Sequence, residues 1–171
     1  MMLTQVPHGT TLRAKGETEI MNLLKENIAV TPLPEELYKT AAGLEALCLG
    51  EEAWTAEAIC ETVGHNGCYF AAFSNEKYLG HGGFTFAADE GYITNIAVLP
   101  EARRQGVASA LIDAMLKKAA GLNLAFLSLE VRESNKAAIS LYINKGFTER
   151  GVRPNFYRCP LESAVIMTKD I

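Results

Sequence analysis

Ile93-Thr94-Asn95-Ile96-Ala97-Val98-Leu99-Pro100-Glu101-Ala102-Arg103-Arg104-Gln105-Gly106-Val107-Ala108-Ser109-Ala110-Leu111 is the stretch that decides how this chain folds. An apolar strand runs into a short basic loop, and an amphipathic helix starts at once. That order sets free backbone N–H groups and the positive end of a helix dipole at the end of a strand. Such a place suits an anion, above all a pyrophosphate. Gly106 permits close backbone approach or a special dihedral. Ala108 is small enough to let the helix sit against a ligand, and the arginines add charge-assisted contacts. Taken alone, the pattern fits an ordinary strand-to-helix turn equally well. Neither a Walker A glycine loop nor a G-x-G-x-x-G fingerprint is present.

Upstream, Asn27 to Leu33 reads as a first strand ended by Pro32 and Pro34. Pro34-Glu35-Glu36 then opens a helix to about Cys48, with proline and acids in its first turn. Its apolar stripe is Leu37, Ala41, Leu44 and Leu47 or Cys48. Thr55 starts a second helix that ends near Gly64. The period then changes to that of strands, Cys68–Ser74 and Lys77–Ala87, joined by a tight turn at Asn75-Glu76. Gly80, Gly82 and Gly83 predict a bulge or twist in the second of them. Gly91–Val98 is a third strand of this meander.

Downstream, a helix over Gln105–Ala120 is expected to end on Gly121 as its C-cap. Leu124–Val131 is a strand with a continuous apolar start, as a central position requires. Asn135–Lys145 is a helix stopped by Gly146, and Phe147–Val152 with Ala164–Thr168 form a closing hairpin. Met1 to about residue 26 has no clear period and reads as a flexible extension, a poorly packed arm or upstream sequence, with Met21 serving equally well as a start. The economical solution is one α/β (α+β) domain over residues 1–171, a mixed sheet with helices on both faces.

Composition narrows the partners. At 171 residues with 49% hydrophobic and 21% charged residues, the chain has the make-up of a soluble globular domain. A net charge of -4 provides no general basic field for nucleic acid, although Arg150, Arg153 and Arg158 cluster locally. Cys48, Cys60, Cys68 and Cys159 lack zinc-ligand spacing and read as free thiols, with no metal expected. No apolar run approaches the ~20 residues that span a membrane, and no signal-peptide core is visible, so a cytoplasmic protein is expected.

Several independent patterns, in order, carry a family resemblance: Arg103, Gly106 and Ala108 in the loop, Asn95-Ile96-Ala97-Val98 before it, Leu129-Glu130-Val131-Arg132 with Ser134-Asn135, and Leu141-Tyr142 with Gly146-Phe147. In these the chain resembles the GNAT superfamily of acetyl-CoA-dependent N-acetyltransferases, and more narrowly its bacterial ribosomal-protein-alanine N-acetyltransferase (RimI) branch. The resemblance covers about Leu37 to the C-terminus. It implies the GNAT acyl-CoA N-acyltransferase fold, a mostly antiparallel sheet of about seven strands whose central pair splays apart.

It also implies where acetyl-CoA lies. The pyrophosphate would sit on the loop Arg103, Arg104, Gln105, Gly106, Val107, Ala108 and Ser109. Pantetheine would run along Ile96, Ala97 and Val98, in a gap opened towards Leu127-Ser128-Leu129. Asn135 would serve as helix N-cap, as a coenzyme contact, or both. The family's proton acceptor and proton donor fall on Glu130 and Tyr142. Read locally, Glu130 is as well a solvated strand residue paired with Arg132 or Lys136, and Tyr142 a helix tyrosine packed on the sheet. The backbone N–H near Val98 would polarise the thioester carbonyl.

Arg153, Asn155, Phe156 and Tyr157 resemble the family's Arg-Arg-Asn-Tyr-Tyr segment over the acceptor, with Pro154 and Phe156 as departures from it. A loop Arg158–Ser163 is expected to follow. Trp54 matches a family feature beside the acceptor groove, and core packing is the other half of its role. His81, among glycines on a strand, faces either that groove or the core. The implied function is acetylation of the N-terminal α-amine of a protein, such as a ribosomal protein beginning with alanine. Direct transfer would use glutamate as base and tyrosine as acid, in a monomer or dimer without nucleic acid or membrane. The alternatives are a small-molecule amine or lysine as acceptor, or an acyl-CoA-binding sensor without turnover.

Overall fold

The computed structural model describes residues 28–171, so the expectations for residues 1–26 and for a strand start at Asn27 lie outside the described residues. The elements are β1 (Ala29–Pro32), α1 (Tyr38–Leu49) after a 3-10 turn, α2 (Ala56–His65), β2 (Gly67–Ser74), β3 (Lys77–Ala87) and β4 (Glu90–Val98). There follow α3 (Val107–Gly121), β5 (Phe126–Arg132), α4 (Lys136–Asn144), β6 (Thr148–Arg158) and β7 (Leu161–Asp170). The seven strands form one sheet in the order β1-β2-β3-β4-β5-β7-β6. All neighbours are antiparallel except β4 and β5.

Strand alternation divides the core between two faces. Leu111, Ile112 and Met115 of α3 and Ile139 and Tyr142 of α4 pack on Phe84, Ile93, Leu127, Leu129 and Met167. The other face holds a smaller cluster in which Ala41 of α1 and Ile59 of α2 meet Leu33, Tyr69 and Ala71. Helix ends follow local rules: the Thr55 hydroxyl caps α2 by accepting from Ala58 N at 3.2 Å. The β2–β3 turn has Asn75 and Glu76 both at positive φ (48° and 64°), as a tight two-residue hairpin demands.

Three expectations need correction. Gly121 does not cap α3 but is its last helical residue; Leu122 caps it, donating to Lys118 O at 3.0 Å, and Asn123 makes the left-handed turn at φ 55°. The strand expected from Leu124 starts at Phe126, because Leu124 N is still closing the helix on Ala119 O at 3.1 Å. The closing hairpin is longer than expected, and Arg158–Ser163 is no loop: β6 and β7 run to a turn at Cys159-Pro160. Of the two alternatives for the last position of the α1 stripe, half-buried Cys48 faces inward, and Leu47 stands 69% exposed; Glu45 is buried beside them.

The irregularities near the β3 glycines are two. Leu79 has no partner on β2, and Thr94 is an extra residue of β4 opposite Gly83 and Phe84. The second bulge is therefore on β4 rather than on the glycine strand. Gly83 is required for a different reason. A Cβ there would lie 2.5 Å from the Tyr69 ring, which covers it.

Candidate active site

The Thr94 bulge bends β4 away from β5. The two strands pair only at Glu90–Phe126, Gly91–Leu127 and Tyr92–Ser128, although β4 continues to Val98 and β5 to Arg132. Beyond Tyr92 a gap opens, as the expected splay requires. Leu99 N donates to Leu79 O at 3.0 Å, so alternation turns the N–H groups of Val98 and Ile96 to the open edge. Ala97, paired with His81 on β3, is the spacer between them.

At the end of β4 the chain makes a 3-10 turn at Pro100–Ala102 and enters the basic loop. Arg104 and Gly106 both take positive φ, 65° and 92°, and Gly106 sits at the N-cap position of α3 without a side-chain cap. The first bond of the helix there is Ala110 N to Gly106 O, which leaves the N–H groups of Val107, Ala108 and Ser109 without helical partners. Gln105, Gly106, Ser109, Ala110, Asp113 and Ile28 line a recess of about 410 Å³ at this end. Gln105 ties the loop down through Nε2 to Glu101 O at 2.7 Å. Arg103 is turned back as a strap, with Nε on Val98 O at 3.2 Å and Nη2 on Cys48 Sγ at 3.3 Å.

Glu130 and Tyr142 approach β5 from opposite faces. Leu127, Leu129 and Val131 point into the α3–α4 core, so Glu130 points to the other side. Its carboxylate pairs with neither Arg132 nor Lys136. Oε1 accepts from Arg153 Nη1 at 2.6 Å and Oε2 from the Tyr92 hydroxyl at 2.5 Å. The Tyr157 hydroxyl donates to the Glu130 main-chain carbonyl at 3.1 Å. Tyr142 is buried on α4 with its ring against Phe147, centroids 5.6 Å apart. Burial pushes its phenol well above the ordinary tyrosine range, so it remains a protonated donor.

Beside Glu130, Arg132 acts as a strap. Its guanidinium pairs with Glu52 at 2.7 Å and Glu162 at 3.3 Å, donates to the carbonyls of Cys159 and Pro160, and lies 4.1 Å over the Tyr157 ring. One side chain thus joins the α1–α2 loop to the β6–β7 turn. Arg153, Asn155 and Phe156 lie where β6 bulges from β7, between the pairs Arg153–Ala164 and Tyr157–Glu162, with Asn155 at φ 54°. Trp54 packs toward Tyr69, centroids 6.1 Å apart, and its backbone N donates to Glu45 Oε2 at 2.7 Å. Asn135 caps α4, its side chain accepting from Ala138 N at 3.1 Å.

Sequence reasoning missed three residues here. Tyr92 meets Glu130 only through the β4–β5 register, for which the sequence holds no signal. Arg132 as a strap and Glu45 as a buried hub were missed too. Glu45 did leave a trace, an acid at helical spacing between Ala41 and Cys48. His81 faces the core, fully buried against Glu45, and not the acceptor groove.

Residues 34–147 match the model of the acetyltransferase (GNAT) family. The chain belongs to that family. It is 34% identical over 120 residues to the [ribosomal protein bS18]-alanine N-acetyltransferase of Escherichia coli (strain K12), spanning 69% of this chain and 81% of that one. The crystal structure of the ribosomal-protein-S18-alanine N-acetyltransferase from Escherichia coli superimposes with a TM-score of 0.76 at 30% identity, over 84% of this chain and 94% of that one. Ard1 from Thermoplasma volcanium shares the fold, with a TM-score of 0.75 at 23% identity over 85% and 98% of the two chains. This GNAT chain is accordingly an N-acetyltransferase. The open edge of β4 and the uncapped start of α3 are its two backbone features that suit an extended, anionic coenzyme. No helix among the described residues is long and apolar enough to cross a membrane.

Proposed function

We propose that this GNAT enzyme uses acetyl-CoA to acetylate the N-terminal α-amine of a protein, that of a ribosomal protein beginning with alanine. The observation that carries the reading is the gap between β4 and β5 with Glu130 on one face of the sheet and Tyr142 on the other. The 34% identity to the Escherichia coli enzyme supports the acceptor class.

Acetyl-CoA supplies the acetyl group as a thioester when it is bound. The free N–H groups of Val107, Ala108 and Ser109, with Arg104, Gln105 and Gly106, would hold its pyrophosphate, and the outward N–H groups of Ile96 and Val98 its amides. Asn135, which caps α4 just beyond the end of β5, would contact the coenzyme. Arg103 contributes by strapping the end of β4. Glu130 takes the proton from the acceptor nitrogen, directly or through a water. An α-amine of pKa ~7.7–8.0 is partly neutral already at pH 7, whereas a lysine near ~10.4 needs a stronger base. Tyr142, protonated by its burial, holds the proton for the departing sulfur. Trp54, Asn155, Phe156 and Tyr157 flank the acceptor.

The test is thiol release from acetyl-CoA with peptides of different first residues, an N-blocked lysine peptide and a polyamine. An alanine-first peptide is expected to have the highest kcat/KM. Glu130→Gln should lower kcat by about 100-fold or more, and Tyr142→Phe by about 10- to 100-fold. Turnover indifferent to both substitutions would sink the mechanism, and preference for the lysine peptide or polyamine would sink the acceptor.

A further inference from the structure

Glu130 has both carboxylate oxygens engaged. Oε1 is held by Arg153 at 2.6 Å and Oε2 by Tyr92 at 2.5 Å, and the side chain is only 11% exposed. The other polar neighbours do not compete for these oxygens. Tyr157 bonds the main-chain carbonyl, and Arg132 is taken up by Glu52 and Glu162. Each oxygen keeps a second lone pair, but a guanidinium on Oε1 neutralises the carboxylate and stands where an ammonium would approach, so Glu130 is a weak base until that cation moves.

The two donors differ in how easily they can go. The Tyr92 hydroxyl belongs to β4 at its last paired position with β5, so it is fixed by the sheet. Arg153 is 56% exposed, and exposed ion pairs are weak. It stands at the start of the β6 bulge, where Pro154, Asn155 and Phe156 leave the β7 ladder. In the same position its guanidinium carbon lies 5.1 Å from the Phe156 ring, so that ring and Glu130 hold it together.

A guanidinium at Oε1 presents a positive charge and N–H donors. A protonated α-amine presents the same. We propose that Arg153 stands in for the acceptor's ammonium group, so that acceptor binding exchanges one cation for another at Glu130 Oε1. The exchange rests on the reading of Glu130 as the base. It keeps this mostly buried carboxylate paired throughout, avoiding the cost of an uncompensated charge. Once seated, the ammonium passes one proton to Glu130, and the electron pair so freed attacks the acetyl carbon. The C–S bond breaks, the sulfur takes the Tyr142 proton, the nitrogen's second proton restores Tyr142, and Glu130 releases its own proton to water. The product amide is neutral and cannot hold the site, so Arg153 returns as it leaves. Neutral acceptors such as alcohols fail at the first step, because displacing Arg153 would leave Glu130 unpaired.

Arg153→Gln and Arg153→Lys, beside Glu130→Gln, test this. Arg153→Gln is expected to lower the KM for an alanine-first peptide about two- to fivefold, the strength of an exposed ion pair. Its KM for acetyl-CoA should not change. Arg153→Lys keeps a cation and should keep the wild-type peptide KM. Free guanidinium at millimolar concentration should compete with the peptide in Arg153→Gln and not in the wild type. A raised peptide KM in Arg153→Gln, or equal guanidinium inhibition of all forms, overturns the exchange. Undiminished kcat in Glu130→Gln would instead bring down the base assignment itself, which separates the two failures.

Discussion

Glu45 shows how far a single side chain reaches in this fold. It has no exposed surface, and each carboxylate oxygen is used. Oε1 accepts from His81 Nε2 at 2.9 Å, and Oε2 accepts from Trp54 N at 2.7 Å and Asn95 Nδ2 at 2.8 Å. A carboxylate only accepts, so Nε2 carries the imidazole proton, and the Tyr78 hydroxyl lies 2.6 Å from the other ring nitrogen. The helix α1, the α1–α2 loop at Trp54 and the strands β3 at His81 and β4 at Asn95 are thus held by one group. Glu45→Ala would leave one buried and two part-buried donors without acceptors and is expected to destabilise the fold by about 3–5 kcal/mol. Tyr78→Phe, which removes a single bond at the edge of the network, should cost about 1 kcal/mol. Urea unfolding of both variants measures this, and equal losses would show that the network does not centre on Glu45. Sequence reasoning passed over Glu45. Its partners lie 36 and 50 residues away, beyond any local pattern.

At the scale of elements, the turn from β4 into α3 was legible because local chemistry dictates it. Gly106 alone among its neighbours tolerates φ 92° without strain, and the helix that follows needs no side-chain cap if a ligand takes its first N–H groups. Gly106→Val would force a β-branched residue into that conformation, with an expected stability cost of about 1–3 kcal/mol. It would also raise the KM for acetyl-CoA about tenfold or more while leaving the peptide KM little changed. Isothermal titration with coenzyme A checks the binding arm, and unchanged affinity would remove the loop from the coenzyme site. The hairpin turn at Asn75-Glu76 and the caps Thr55 and Asn135 were legible for the same local reason. The ends of β6 and β7 were not. Pro154 and the bulges at Arg150 and Pro154–Phe156 break the period-two pattern, so a continuous strand pair looked like two short strands and a loop. The β4–β5 gap itself came from the resemblance, since the bulge that makes it needs Thr94 to be counted against Gly83 across the ladder.

Across the whole molecule, tyrosines are built into both faces of the sheet and held neutral. Tyr69 and Tyr78 on the α1–α2 side, Tyr92 at the last β4–β5 pair and Tyr142 on α4 are each pushed well above the ordinary phenol range, chiefly by burial. Tyr157 is pushed up to about 12, again mainly by burial. A phenol whose folded value is raised stays protonated in the native state while the unfolded chain begins to ionise near ~10. The unfolded state then binds fewer protons than the native one, so stability must fall as pH rises. The contribution is complete below pH ~10 and drains away from there toward 12, where Tyr157 itself titrates in the fold. Urea midpoints should therefore hold level as far as pH ~9 and drop steeply between pH ~10 and ~11.5. Tyrosinate absorbance should rise together with unfolding rather than ahead of it. If most of the tyrosinate signal instead developed near pH 10 in a protein that still melted cooperatively, the buried phenols would be reaching solvent in the native state. Tyr142 could not then be the permanently protonated donor proposed for acetyl transfer.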